Sequence, residues 1–316
     1  MSDAVKSFGT AFVLTTIVRR RDGDYQWTRR PGLHRGSAMG APDPGAAALI
    51  QATRQGRVPL RLPERVDEEG VTYRTNQDHT LAGLLLGTGA GAGEPVTEVE
   101  RIVADTLLET GASLARLHAL PLPQTGLPSP EGPRRLLAWL RSGQGPGGAP
   151  ELHPRAAEIL GGDRMAAVAA WCAPAAGPGA LLHGAPSMGI LLPMLPGRDG
   201  CLLTGENLSA GPPESDLGWL IGELVEFRET NRRFGALRDV DYDLLIGRVL
   251  DGYAAAVDHA AVGRAAAVRF LSHVYDFAAF VRWKDVLVDY LKLVADVIDA
   301  AGEGRLLRSA DRARRP

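Results

Sequence analysis

The sequence is poor in cysteine. It has two in 316 residues, Cys172 and Cys201. They lack metal-ligand spacing and are too few for a disulfide framework, so both are predicted to be buried free thiols and redox chemistry is not indicated. It also lacks any apolar run near the ~20 residues needed to cross a bilayer. Its start, Met1 to Lys6, has no basic segment followed by an apolar stretch, so the expectation is a cytoplasmic protein with no signal peptide and no membrane contact. Excess charge of one sign is missing too: a net −2 argues against a surface built as a whole for nucleic acid or acidic membrane. The seven histidines are scattered, with no i, i+4 pair or Cys/His cluster suited to zinc, and no repeat period indicates a solenoid.

What remains is ordinary globular material, 45% apolar and 23% charged, long enough for a large core. Residues 9 to 29 read as a β-hairpin. Ala11 to Val18 is β-branched and apolar, Asp22-Gly23 supplies the turn, and Tyr25-Gln26-Trp27-Thr28 resumes a strand. A short helix over 45–54 and a strand over Gly70–Thr75 complete a small mixed lobe ending near residue 80. Beyond it, residues 81–316 turn helical. Thr97 and Glu100 have capping-box spacing, and Val99, Ile102, Val103, Leu107, Leu114 and Leu117 share one face. A second helix is predicted from about Asp216 and a third from about Val281 to Gly302. Between the first two lies a Pro/Gly-rich stretch, Pro121 to Pro150, with one or two helical turns over Arg134–Arg141. The tail around Arg305, Arg308, Arg312, Arg314 and Arg315 reads as a frayed, solvated end.

Two motifs are set aside. The glycines from Gly87 to Gly93 precede Pro95 and the Thr97 cap by too far for a dinucleotide-binding turn, and read as a flexible connection. Ser187 has Ala185, not glycine, two residues before it, so the hydrolase elbow pattern fails.

The informative stretch is Leu181-Leu182-His183-Gly184-Ala185-Pro186-Ser187-Met188-Gly189-Ile190, then Leu202-Leu203-Thr204-Gly205-Glu206, then Gly211-Pro212-Pro213-Glu214-Ser215-Asp216-Leu217. In order and spacing it resembles the aminoglycoside phosphotransferase and choline kinase-like family, whose segment runs His-Gly-Asp, four residues, Asn, then Ile-Asp-Trp, then Gly-Pro-x-x-x-Asp-Leu. Leu114 to Leu120, with Leu-Ala-Arg-Leu-His, resembles that family's Leu-Ala-x-Leu-His helix end. Tyr25 to Pro31 resembles its Tyr-Val-Leu-Arg-Arg-Pro strand, and Ser272 to Phe277 one of its C-terminal helices. The resemblance implies an α+β, bilobed, protein kinase-like fold with a small β-rich lobe (1–80) and a large helical lobe (81–316).

The departures are as informative. By the resemblance, Ala185 stands at the catalytic Asp position, Ile190 at the metal-binding Asn and Thr204 at the metal-binding Asp. Phosphoryl transfer needs carboxylates there to orient the hydroxyl and hold Mg²⁺. Gly9 is the only clear glycine near the expected phosphate loop. Ala46, Ala47 and Ala48 offer no glutamate to pair with a nucleotide-binding cation, whose place Arg29 takes. His183 and Asp216 match positions that brace the loop. Glu206 and Glu214 are the nearby carboxylates left for a substitute metal or base role, or are solvated loop residues. The expectation is a pseudokinase that binds a peptide or protein, with Arg19, Arg20, Trp27, Arg29 and Arg30 as contact surface and the solvated hairpin edge as the alternative. A weaker resemblance is to the kinase-like components of class V lanthipeptide and thioamitide pathways, which implies a precursor peptide and a lyase-like protein as partners. The competing readings are an active phosphotransferase, using ATP and Mg²⁺ with rewired ligands, and a regulatory nucleotide-sensing pseudokinase.

Overall fold

The computed structural model describes residues 4–36, 39–88, 93–174 and 179–313. A five-stranded antiparallel sheet forms first, from β1 (Ala4–Gly9), β2 (Val13–Arg19), β3 (Tyr25–Pro31), β5 (Arg65–Asp67) and β6 (Gly70–Thr75), in the order β1-β2-β3-β6-β5. The β2–β3 pair is the hairpin expected from Asp22-Gly23, with Ile17 opposite Trp27. Strand β1 was not foreseen, because its pattern is interrupted by Lys6 and Ser7. Helix α1 (Pro44–Ala52) is opened by Asp43, whose side chain accepts from Ala46 N.

A separate three-stranded sheet joins the two parts of the chain. β4 (Leu60–Arg61) pairs in parallel with β9 (Cys201–Leu203), which also pairs with β8 (Leu191–Leu192). The first 80 residues are thereby stitched to the strand that ends just before Thr204. A second tie comes from the β1–β2 turn. Ala11 N donates to Phe280 O at 2.8 Å, and the Phe12 and Phe280 rings lie 4.9 Å apart.

The helical part comprises α2 (Leu81–Leu85), α3 (Val96–His118), α4 (Glu131–Ser142), α5 (Ala149–Trp171), α6 (Glu214–Phe234), α7 (Tyr242–Tyr253), α8 (His259–Phe280), α9 (Val286–Gly302) and α10 (Arg308–Ala313). A small ladder of β7 (Ala180–Leu182) and β10 (Ser209–Gly211) sits beside α3. α6 and α8 are buried along much of their length and pack on each other. Among the described residues no helix is long and apolar enough to cross a membrane.

Several expectations are corrected. Thr97 does not cap α3. The helix begins at Val96 after Pro95, whose carbonyl takes the Glu98 and Val99 amides, and Glu100 instead accepts from Asp241 N. The stretch after Pro121 holds a full α4, whose buried Leu136, Leu137, Trp139 and Leu140 outweigh the flanking prolines. The last long helix starts at Val286, because α8 runs to Phe280 and residues 281–285 connect the two. The tail is helical over Arg308–Ala313, anchored by buried Leu306, Leu307 and Ala310. Arg314 and Arg315, and most of the glycine run from Gly87 to Gly93, lie outside the described residues. Cys172 and Cys201 are both buried and free, and burial pushes their thiols up to about 12 and about 11.

Candidate functional site

The segment from His183 to Ile190 is a loop between β7 and β8, held from two sides. Asp216, in the first turn of α6 and 1% exposed, accepts from His183 N at 2.7 Å and Gly184 N at 2.9 Å. Its Oδ2 also lies 3.0 Å from His118 Nε2. The Tyr253 hydroxyl is 2.9 Å from His118 Nδ1. Burial, then Glu214 and Asp216, push that phenol up to about 12, so it stays protonated and donates to the imidazole. The second brace is Glu223, two turns further along α6. Its carboxylate takes Ser187 Oγ and Met188 N, each at 2.7 Å, while Arg269 from α8 meets it at 2.7 Å.

His183 completes the loop from within. Its Nε2 donates to Leu203 O at 2.9 Å, which leaves Nδ1 to accept from Ala185 N at 3.4 Å. Burial lowers its pKa, consistent with a neutral ring in this tautomer. Gly184 has φ +89°, and a Cβ there would meet Asn207 O at 1.8 Å and Ser209 Oγ at 2.7 Å. The loop is therefore pressed against the segment joining β9 to β10.

Ala185, Ile190 and Thr204 lie along this frame. Ile190 is almost wholly buried, its N donating to Ser187 O and its O accepting from Leu203 N. Thr204 Oγ1 is buried without a hydrogen bond. A methyl, a sec-butyl and one hydroxyl do not fit a magnesium–nucleotide, which takes carboxylate or amide oxygens. Among the described residues no group of three or more His, Cys, Asp or Glu side chains is arranged to hold a metal ion.

The predicted contact residues separate by strand parity. On β3, Trp27 and Arg29 share the inner face and Arg30 the other. Trp27 is fully buried, its Nε1 donating to Gln77 O at 2.9 Å, so it is core and offers no contact surface. Arg29 turns inward and ion-pairs with Glu206, Nε to Oε1 at 2.7 Å, with both side chains largely buried. The Tyr73 hydroxyl reaches the same Oε1 at 2.9 Å and Thr204 O at 3.2 Å; burial, then Glu206, push that phenol well up. Arg30 faces Glu69, Arg20 lies near Asp22, and Arg19 is exposed at the end of β2.

Neither substitute carboxylate is at liberty. Glu206 is held by Arg29 and Tyr73, and Glu214 accepts from Asp258 N at the start of α8. No contact joins the two. Sequence reasoning missed Glu223, although it lies seven residues after Asp216 on an otherwise apolar stripe, the spacing that puts both on one helix face. It also missed Arg35, Arg134 and Arg135. Together with Glu131, Glu206, Asn207 and Ser209, these line a cavity of about 570 Å³ between the two lobes.

The chain is similar in structure to an ethanolamine kinase from Plasmodium vivax. Identity is 10%, with 96% of this chain and 83% of that one covered, at a TM-score of 0.54. A choline kinase from Cryptosporidium parvum aligns at 12% identity over 98% of this chain and 91% of that one, TM-score 0.50. A choline/ethanolamine kinase family protein from Mesorhizobium loti reaches 18% identity over 100% and 90%, TM-score 0.48. No protein-family model matches the chain, and no curated protein matches it. The architecture is thus the bilobed, protein kinase-like fold that the resemblance implied, with a small antiparallel-sheet lobe and a large helical lobe.

Proposed function

We propose that this chain uses a phosphotransferase-like fold for binding and does not transfer phosphate from Mg·ATP. The carrying observation is the buried Arg29–Glu206 pair. The cation that, by the resemblance, would meet a nucleotide phosphate is already neutralised by a carboxylate from the opposite lobe. Ala185, Ile190 and Thr204 supply no replacement oxygens in a position to act together. The loop shape is nonetheless braced by Asp216 and Glu223, as a recognition surface requires.

The occupant we assign is a peptide or protein segment. Within that reading, the resemblance to kinase-like lanthipeptide components points to a precursor peptide and a lyase-like partner protein. An active phosphotransferase with rewired ligands is the second reading, and the engagement of Glu206 and Glu214 stands against it. Calorimetry of the full chain with ATP, with and without Mg²⁺, alongside an ADP-release assay, separates them. Absence of Mg²⁺-dependent binding and of turnover is expected. Tight Mg²⁺-dependent ATP binding with ADP release would sink the proposal.

A further inference from the structure

We propose that the cavity between the two lobes binds a phosphorylated serine or threonine residue of a peptide, with Arg35 and Arg134 as its anion clamp. This deepens the binding role argued above and rests on it. The walls are Arg35 and Gly40 from the segment after β3, the first turns of α4 and the connection from β9 to β10.

Arg35 is the anomaly that calls for a ligand. Its side chain is 5% exposed, yet none of its N–H groups makes a hydrogen bond among the described residues, and its Nε is enclosed without a partner. Glu131 is 3.6 Å from it, and its guanidinium lies 4.7 Å from the centroid of the Phe12 ring. Burial pushes its pKa down, with Glu131 and Glu206 only partly opposing. A desolvated guanidinium without acceptors is unfavourable, and an anion delivered to it relieves that penalty.

Other donors stand at the same cavity. Arg134 and the Asn207 amide make no side-chain hydrogen bond among the described residues. The counter-charges are mostly committed elsewhere. Glu206 pairs with Arg29, and Asp276 takes Arg135 through both oxygens at 3.0 and 3.1 Å. Glu131 is divided between Arg35 at 3.6 Å and Arg135 at 3.9 Å, which leaves Arg134 without an ion-pair partner among the described residues.

Donors from three separate segments suit a tetrahedral group with three free oxygens better than a planar carboxylate with two. A volume of about 570 Å³ is more than a bare phosphate fills, and is ordinary for a ligand of several heavy atoms.

The test is calorimetry on the full chain with a short alanine-rich peptide carrying one central phosphoserine. Its serine twin, its glutamate twin and inorganic phosphate are titrated in parallel. The phosphopeptide is expected to bind at least ten-fold more tightly than any of the three. Arg134→Gln, on the exposed side of α4, should weaken it about ten-fold and Arg35→Gln by more. Arg35 is buried, so where its variant fails to fold, Arg134→Gln decides alone. No phosphopeptide binding at millimolar concentration, equal binding of the serine or glutamate twin, or an unchanged affinity in Arg134→Gln overturns the site. Inorganic phosphate binding as tightly as the phosphopeptide overturns the peptide and leaves a small phosphorylated ligand. Mg·ATP turnover, by contrast, would appear only in the ADP-release assay and would refute the binding role without touching these titrations.

Discussion

Replacing Asp216 with asparagine is the most direct probe of the braced loop. The native carboxylate accepts from His183 N, Gly184 N and His118 Nε2 at 2.7, 2.9 and 3.0 Å in a site 1% exposed to solvent. An amide keeps one acceptor oxygen, but its nitrogen turns hydrogens toward groups that are themselves donors. At least one buried N–H is then unsatisfied, and the charge assistance to all three is lost. An unsatisfied buried donor costs about 1–3 kcal/mol, and a hydrogen bond to a charged group is worth about 1.5–3 kcal/mol. A total of about 3–5 kcal/mol is therefore expected, comparable with breaking a buried ion pair from one side. Set against a typical whole-chain stability of about 5–15 kcal/mol, the variant should fold with a thin margin. With a urea m-value of about 3 kcal/mol/M, the midpoint should fall by about 1–1.7 M at unchanged slope. The control is Glu158→Gln, whose partner Arg155 is 3.3 Å away with both side chains well exposed; it should stay within about 0.5 kcal/mol. Urea denaturation followed by circular dichroism and tryptophan fluorescence makes the comparison. A shift no larger than the control's would refute the claim that Asp216 holds the loop.

Gly184→Ala should destabilise by several-fold more than Gly161→Ala. A methyl at Gly184 would sit 1.8 Å from Asn207 O, whereas at Gly161, also at positive φ, nothing lies within 4 Å; paired denaturant midpoints test this. His183 in the loop and His273 on α8 should give opposite pH slopes. Partial burial of His273 disfavours its charge, but the Glu226 carboxylate at 2.6 Å outweighs this and raises its pKa. Its contribution is thus full below about 6.5 and lost as pH rises through the raised value. His183, lowered by burial, contributes above about 6.5 and loses that as pH falls. His273→Asn should flatten the alkaline limb of the stability profile alone. Since 42% of the His273 side chain is exposed, solvent screens the effect. An unchanged alkaline limb would refute the Glu226 linkage.

The hairpin at Asp22-Gly23, strand β6 and the stripe of α6 were legible because turn chemistry and periodicity are local. Ala185, Ile190 and Thr204 are singled out only by the family resemblance, and the structure sets them along the braced loop and the strand end beside it. What the sequence hid is pairing across it. Nothing near Arg29 announces Glu206, 177 positions later, and strand parity alone separates Arg29 from its neighbour Arg30. Trp27 read as surface because it stands among arginines, yet its parity puts it in the core. α4 was underestimated because prolines and glycines flank it, while the apolar face that stabilises it is satisfied by distant elements, α5 and α8 among them.

The loop braces and the cavity are one construction. Asp216 fixes the amides of His183 and Gly184, and Gly184 has no side chain because the backbone of Asn207 and the hydroxyl of Ser209 occupy that space. Those two residues are also cavity wall. Two buried carboxylates on one helix are expensive to desolvate, and apolar side chains of similar volume often serve stability as well or better. Asp216 and Glu223 are therefore poorly explained as stabilisers alone. Their geometry acts on backbone: three loop amides, those of His183, Gly184 and Met188, are pinned while the tip residues Ala185 and Ile190 carry no charge. A loop held this firmly keeps the wall behind it in register, which is what the proposed arginine-lined binding cavity requires.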